Sequence, residues 1–518
     1  MINFSVSEKF KSICKVFLVF IFFLGLFSYF QFSSFNLISP DDGYYHIKHA
    51  FLYKADGLNI DFPYLEYATL KDRPVDLWLL YHLILIPFTS FPSGQGEFID
   101  MIFGIKAATA LFAALFFTAF YFVLSKLDIR YAIAWTFGLL VVFGTFSFRM
   151  FLPRPHILSL LLLMMGFYFL IKNKKKHLFV LAAIYSLAYE LSFLLLGIAA
   201  IYVLCHRYYY KKWDLGILAY AFGGWLLGVL LHLHPVNYFY TMYGFFTVLV
   251  YRFLGDIPLG MEMYNKLSFS REIILLSGIF IVALCNIIVS VIKKRRLTLI
   301  EIYISGLFFL IFPVYLFIGR TIEYLAPFAI LLVAVVVNDR FPSLHEWLGG
   351  KIKGSLTGTY VIYLVLLAGG VMGYFFYNYQ VSGVSQFKKY PYDKYRLASQ
   401  WLSDNSNDGD VVFNADWSDF PQLFFWNSKN HYTIGMDPMS LYLKDKEKYW
   451  LWRNISGSGM VCSKKVCEGD ERSMYEVIKN DFNSKYVFIN NYKIKKNNSY
   501  FEMSSGANDG FAWNTQGK

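Results

Sequence analysis

Two adjacent carboxylates head the segment Asp41-Asp42-Gly43-Tyr44-Tyr45-His46-Ile47-Lys48-His49, shortly after an uncharged apolar run from Val16 to Phe30. Read as a helix from Asp42, this segment puts Asp42, His46 and His49 on one face, presented to the outer membrane surface. A carboxylate beside two imidazoles can take up a proton or hold a metal ion. The alternative is the polar face of an interfacial helix. Acids at the edge of hydrocarbon are costly unless they meet water, a partner or a substrate, so Asp41 and Asp42 are read as functional.

A second polar cluster, Arg149-Met150-Phe151-Leu152-Pro153-Arg154-Pro155-His156, lies between two apolar runs. Two arginines and a histidine on a turn stiffened by two prolines suit phosphate, which guanidinium groups bind bidentately. Headgroup anchoring is the competing reading. Arg320, in Gly319-Arg320-Thr321-Ile322-Glu323, is a third cationic point at the end of an apolar run, with Glu323 available to hold it.

The elements carrying these groups are hydrophobic. Of 518 residues, 56% are hydrophobic and only 16% charged, which points to a polytopic α-helical membrane protein. The formal net charge of +12 does not indicate nucleic acid, because Lys and Arg fall between apolar blocks and form no single basic face. After the first helix, candidate spans are 101–124, 131–148, 157–171, 178–204, 215–231, 273–292, 297–318, 321–337 and 357–377. With 178–204 divided, this gives about ten or more transmembrane helices.

The connections around Lys126–Arg130, Lys172–Lys176, His206–Lys212, Lys293–Arg296 and Arg340–Lys353 are densely basic and therefore cytoplasmic. The N-terminus is then cytoplasmic and the first loop, 32–100, outside. In that loop 76–91 is a juxtamembrane helix, since its Asp76, His82 and Pro87 suit an interface. The run 178–204 sits between two basic loops and must go in and return, turning near Tyr189-Glu190. The run 238–253 lies along the outer surface or re-enters. The first apolar run has no small-residue cleavage site and stays as an anchor.

Residues 1–379 thus form the membrane domain and 380–518 an extracytoplasmic α/β domain. In the latter, 395–402 and 474–479 read as helices and 410–414 and 485–489 as strands. Cys462 and Cys467 bracket a short loop there, and an oxidising compartment would join them. Cys14, Cys205 and Cys285 are lone residues in or beside membrane helices.

Taken together, these features resemble the GT-C superfamily of membrane glycosyltransferases, and in places the catalytic subunit of oligosaccharyltransferases. That family carries an acidic motif in the first outer loop, as Asp41-Asp42-Gly43-Tyr44-Tyr45-His46 does here. Its second loop places an arginine and acidic residues before a helix ending in aromatics; Arg149–His156 followed by 157–168 corresponds. Its tryptophan-aspartate motif and the threonine-aspartate segment that follows are matched by Ala415-Asp416-Trp417-Ser418-Asp419 and Tyr432-Thr433-Ile434-Gly435-Met436-Asp437. A late-loop glutamate corresponds to Glu262.

The chain departs from the family in two places. Arg154-Pro155-His156 replaces the second-loop acids that hold a metal, so a divalent ion, Mg or Mn, would find only Asp41, Asp42 and Glu262 as oxygen donors and would rest on Asp42 with His46. The doubled tryptophan is also missing.

The resemblance implies inverting transfer of a sugar or glycan from a polyprenyl phosphate or pyrophosphate donor at the outer leaflet. Asp42, or Asp41, would be the base. Arg149, Arg154, His156 and Arg320 would hold the donor phosphate. His46, Lys71, Glu262, Trp417 and Asp419 would support the site or the acceptor, which is a glycan, lipid or protein. The partners are membrane lipids and the lipid-linked donor, in a bacterial inner membrane. A flippase or transporter, or a polysaccharide ligase or polymerase of another fold, are the other readings. No internal repeat of the transporter kind is seen.

Overall fold

A computed structural model of the chain describes residues 8–37, 42–59, 61–254, 271–340, 391–467, 472–490 and 511–514. It divides into two compact units, each interleaved along the chain.

The first unit is helical and comprises residues 8–33, 109–229 and 271–340 of the described chain. Among the described residues, five helices are long and apolar enough to cross a membrane: Phe10–Phe32, Glu97–Lys126, Glu272–Ile292, Leu299–Phe317 and Gly319–Asp339. The number is six if the consecutive helices Leu215–Leu230 and Pro235–Tyr251 count as one broken span. The protein is therefore a membrane protein. Other expected spans are shorter helices, such as His156–Ile171 and Leu194–Tyr210, and 357–377 lies outside the described residues.

Two departures from continuous helix have local causes. The run 131–148 is Ala132–Val142 followed by Gly144–Arg149, broken at Phe143. The Ser147 hydroxyl bridges the break by donating to the Leu140 carbonyl and to that of Phe143 at 3.0 Å. The run 178–204 is Lys175–Ala188 and Leu194–Tyr210, separated at Tyr189–Phe193 as the alternation of basic loops requires. Helix Leu299–Phe317 starts on a capping box: Thr298 Oγ1 accepts from the Glu301 amide at 3.2 Å, and Glu301 Oε2 accepts from the Thr298 amide at 2.8 Å.

The second unit contains the described residues of 34–108, 230–254 and 391–514. Its sheet has the order β2 (His431–Tyr432), β1 (Val411–Asn414), β3 (Ser484–Ile489), β4 (Phe511–Asn514). β1 is parallel to β2 and β3, while β4 is antiparallel to β3. Strands β1 and β3 are the two expected. β2 is too short, at two residues, to give a period.

Side-chain alternation along β1 and β3 feeds two cores. Phe413, Val487 and Ile489 join Trp452, Ile455 and Phe482. Val412, Tyr486 and Phe488 join Phe420, Phe424 and Tyr432. The second core also takes Tyr45, Phe62, Leu65 and Ala68 from the first loop, and the first takes Val248 from the Pro235–Phe253 helix. Backbone pairing ties the loop on as well: the Tyr432 amide donates to the Tyr64 carbonyl at 2.8 Å and the Glu66 amide to the Tyr432 carbonyl at 2.9 Å. Thus the first loop and the C-terminal segment share one packed interior. A disulfide joins Cys462 and Cys467.

Candidate active site

Asp42 is the first residue of the Asp42–Asp56 helix and is half-buried. Asp41 and Glu262 lie outside the described residues. The expected spacing is present, but the expected exposure is not. His46 is 1% and His49 5% exposed, so this face packs into the second unit and does not front the membrane surface. The reason is aromatic: His46 rings contact Trp78 and Tyr81, and His49 contacts Tyr53 and Phe62.

Behind these histidines stands a group that sequence reading assigned to an interfacial helix. Leu79–Leu85 is helical and continues as a tight turn to Ser90, yet it carries His82, which is fully buried, as is Asp76 before it. His82 Nδ1 lies 2.6 Å from Asp76 Oδ2, and its Nε2 shares a 2.8 Å hydrogen bond with His46 Nδ1. Tyr53 donates to Asp76 Oδ2 at 2.8 Å and the Trp78 amide to Oδ1 at 3.0 Å. Burial alone would raise the Asp76 carboxyl, but His82, His49 and these donors hold it well below the usual carboxylate range.

A metal on Asp42 and His46 would find His46 Nδ1 already engaged by His82. A hard ion such as Mg or Mn also prefers oxygen. The donor set that the described residues bring together is instead His49, Asp76 and His82, whose ligand atoms lie within 4.8 Å of one another.

In the helical unit, Arg149 and Glu323 form a buried ion pair through the Arg149 Nε. Arg320 Nε lies 3.8 Å from the same Glu323 oxygen, and its Nη2 is 3.4 Å from Tyr189 Oη. His156, fully buried, bonds through Nε2 to the Arg149 carbonyl at 2.9 Å. The charges of Arg149, Arg320, Arg154 and Glu323 all reach it. Among the described residues, nothing hydrogen-bonds to the buried Glu323 Oε2 or His156 Nδ1. The expected cationic cluster therefore exists, with Glu323 holding two of its arginines. Sequence reading gave Glu323 to Arg320 alone, because nothing in the spacing connects it with residue 149.

The remaining expected residues lie in the second unit. Lys71 pairs with Glu66, which also binds His431 Nδ1 at 3.0 Å. Lys71 lines a cleft of about 320 Å³ with Tyr67, Asp72, Lys444 and Lys448. Trp417 is 37% exposed, so it is not a core aromatic. Asp419 is 4% exposed and accepts from Tyr395 Oη at 2.6 Å and from Asn490 Nδ2 at 3.0 and 2.8 Å. Burial, with Asp416 adding, raises its carboxyl to about 7.

Among solved structures, the chain is similar to the archaeal oligosaccharyltransferase AglB from Archaeoglobus fulgidus, in a complex with an inhibitory peptide and a dolichol-phosphate. The TM-score is 0.57 at 12% identity, over 90% of this chain and 69% of that one. The fold is shared with an oligosaccharyltransferase. No family model matches the sequence, and no curated protein matches it. The resemblance to oligosaccharyltransferases is thus upheld as a fold and leaves the reaction to the residues.

Proposed function

We propose that this protein is a GT-C type membrane glycosyltransferase that moves a sugar or glycan from a polyprenyl phosphate or pyrophosphate donor to an acceptor at the outer face of a bacterial inner membrane. The observation that carries the reading is the cluster in the helical unit. Arg149, Arg154 and Arg320 supply guanidinium donors for phosphate oxygens, while Glu323 Oε2 and His156 Nδ1 are buried acceptors with no hydrogen-bond partner among the described residues. A ligand satisfying both kinds of group bears anionic oxygens and hydroxyls together, as a sugar phosphate does. The shared fold, in a relative bound to a dolichol-phosphate, supports the lipid-linked form.

In the proposed step, Asp42 takes the proton of an acceptor hydroxyl or amide as that atom attacks the anomeric carbon. The bond from this carbon to the phosphate oxygen breaks, and the electron pair leaves with the phosphate. A single displacement inverts the centre. His46 supports Asp42 from the next helical turn; Lys71, Trp417 and Glu262 belong to the acceptor side, and Asp419 supports the turn that carries Trp417.

The test is to purify the protein from its membranes, extract the lipid that travels with it and identify it by mass spectrometry. The expected species is a polyprenyl phosphate or pyrophosphate bearing sugar, lost in Arg149→Gln. Recovery of phospholipids alone from both proteins would refute the reading.

A further inference from the structure

We propose that His49, Asp76 and His82 form a site for a single borderline divalent ion, zinc being the best match, buried inside the second unit. Each ligand has one polar atom fixed by an outer partner. His49 Nδ1 is held by Tyr45 Oη at 3.0 Å, which leaves Nε2 as its ligand atom. His82 Nε2 is held by His46 Nδ1 at 2.8 Å, which turns Nδ1 toward Asp76. Asp76 Oδ1 is held by the Trp78 amide at 3.0 Å, which leaves Oδ2 toward His82. This is the arrangement that metal-bound imidazoles and carboxylates adopt, one atom on the ion and the other on a neighbour that sets tautomer and orientation.

The three ligand atoms lie within 4.8 Å of one another, whereas tetrahedral bonds of about 2 Å hold ligand atoms about 3.3 Å apart, so loading draws the outermost atoms inward and parts His82 Nδ1 from Asp76 Oδ2, now hydrogen-bonded at 2.6 Å. All three side chains are buried, His82 completely. Two nitrogens and one oxygen suit zinc better than magnesium or calcium. Three protein ligands leave a fourth tetrahedral position for water, beside the Tyr53 hydroxyl on Asp76 Oδ2. On loading, the proton between His82 Nδ1 and Asp76 Oδ2 leaves to solvent, and Nε2 carries the proton of the hydrogen bond to His46, so that the bound imidazole is neutral.

The consequence is mechanical. His49 lies on the helix that begins with Asp42, whereas Asp76 and His82 lie on the next segment of the loop. One ion would clamp these segments and fix the helix start.

The full-length protein, purified in detergent, is incubated with Zn²⁺, dialysed and analysed for metal, and in parallel loaded with Co²⁺. One zinc per chain and the absorption of tetrahedral cobalt are expected. Asp76→Asn and His82→Ala should each lose the bound ion, while His46→Gln should keep the stoichiometry and weaken affinity about 10- to 100-fold. Wild-type protein holding less than a tenth of an equivalent, an octahedral cobalt spectrum, or full metal content in the Asp76 and His82 variants would each overturn the site. Should those variants fail to fold, the wild-type cobalt spectrum alone decides. These readouts involve no glycosyl transfer and stand whether or not the proposed reaction does.

Discussion

Arg149 and Glu323, 174 positions apart in sequence, meet as a buried ion pair in the helical unit, with Glu323 fully enclosed. Breaking such a pair costs more than forming it gains, because the remaining charge is left without a partner in a low-dielectric interior. Glu323→Gln should lower stability by about 3 kcal/mol. Thermal unfolding in detergent reads this, and Arg149→Met combined with Glu323→Gln should recover part of the loss. A double variant as damaged as the sum of the single ones would show that the pair is not coupled.

Asp42→Asn keeps the size and the helix start of the side chain but removes the base. Transfer should fall by at least about 100-fold, in keeping with the contribution of a general base, while the unfolding temperature and the co-purifying lipid stay as in the wild type. Single-turnover assays with the lipid species recovered from the protein measure it. Turnover at the wild-type rate would remove Asp42 from the mechanism.

Asp419 gives the second unit a pH dependence of unusual sign. Its carboxyl is raised to about 7 by burial and by Asp416, above the ordinary 3.8, so the folded state holds the proton that the unfolded state has released between these values. The stability it contributes is complete below about pH 4 and is lost as pH rises through 7, with a slope of up to about 1.4 kcal/mol per pH unit. Unfolding temperatures measured from pH 4 to 8 should therefore decline with Asp419 present and flatten in Asp419→Asn.

Gly224 and Gly228 form a small-residue pair one turn apart on the Leu215–Leu230 helix. A Cβ at residue 224 would overlap the Phe179 backbone, and one at residue 228 the Ala183 backbone and Ser186. Close backbone approach through such pairs is how helices associate in a membrane. Gly228→Ala should cost about 1–3 kcal/mol by overpacking. Gly197→Ala, where nothing lies within 4 Å of the added carbon, is the control and should leave the unfolding temperature unchanged.

Much of the membrane part was legible because bilayers impose simple rules. Apolar length marked the long helices, and basic loops required the reversal near Tyr189. Those loops could not mark the break at Phe143, since it depends on where the Ser147 hydroxyl finds carbonyls. In the second unit, β1 and β3 were legible as apolar runs. The two-residue β2 and the first-loop residues Phe62, Leu65 and Ala68 were not, as their burial arises from contact with Phe420, Phe424 and Tyr432 far along the chain.

By itself the sequence determined the membrane class, the helix from Asp42, the arginine-rich turn before His156 and the pairing of Cys462 with Cys467, because each follows from local composition or spacing. Only the tertiary structure decided that His46 and His49 are interior, that Asp76 and His82 stand beside them, and that Glu323 binds Arg149. Burial and long-range charge pairing are properties of packed segments brought together from distant positions, and a one-dimensional pattern carries no term for them.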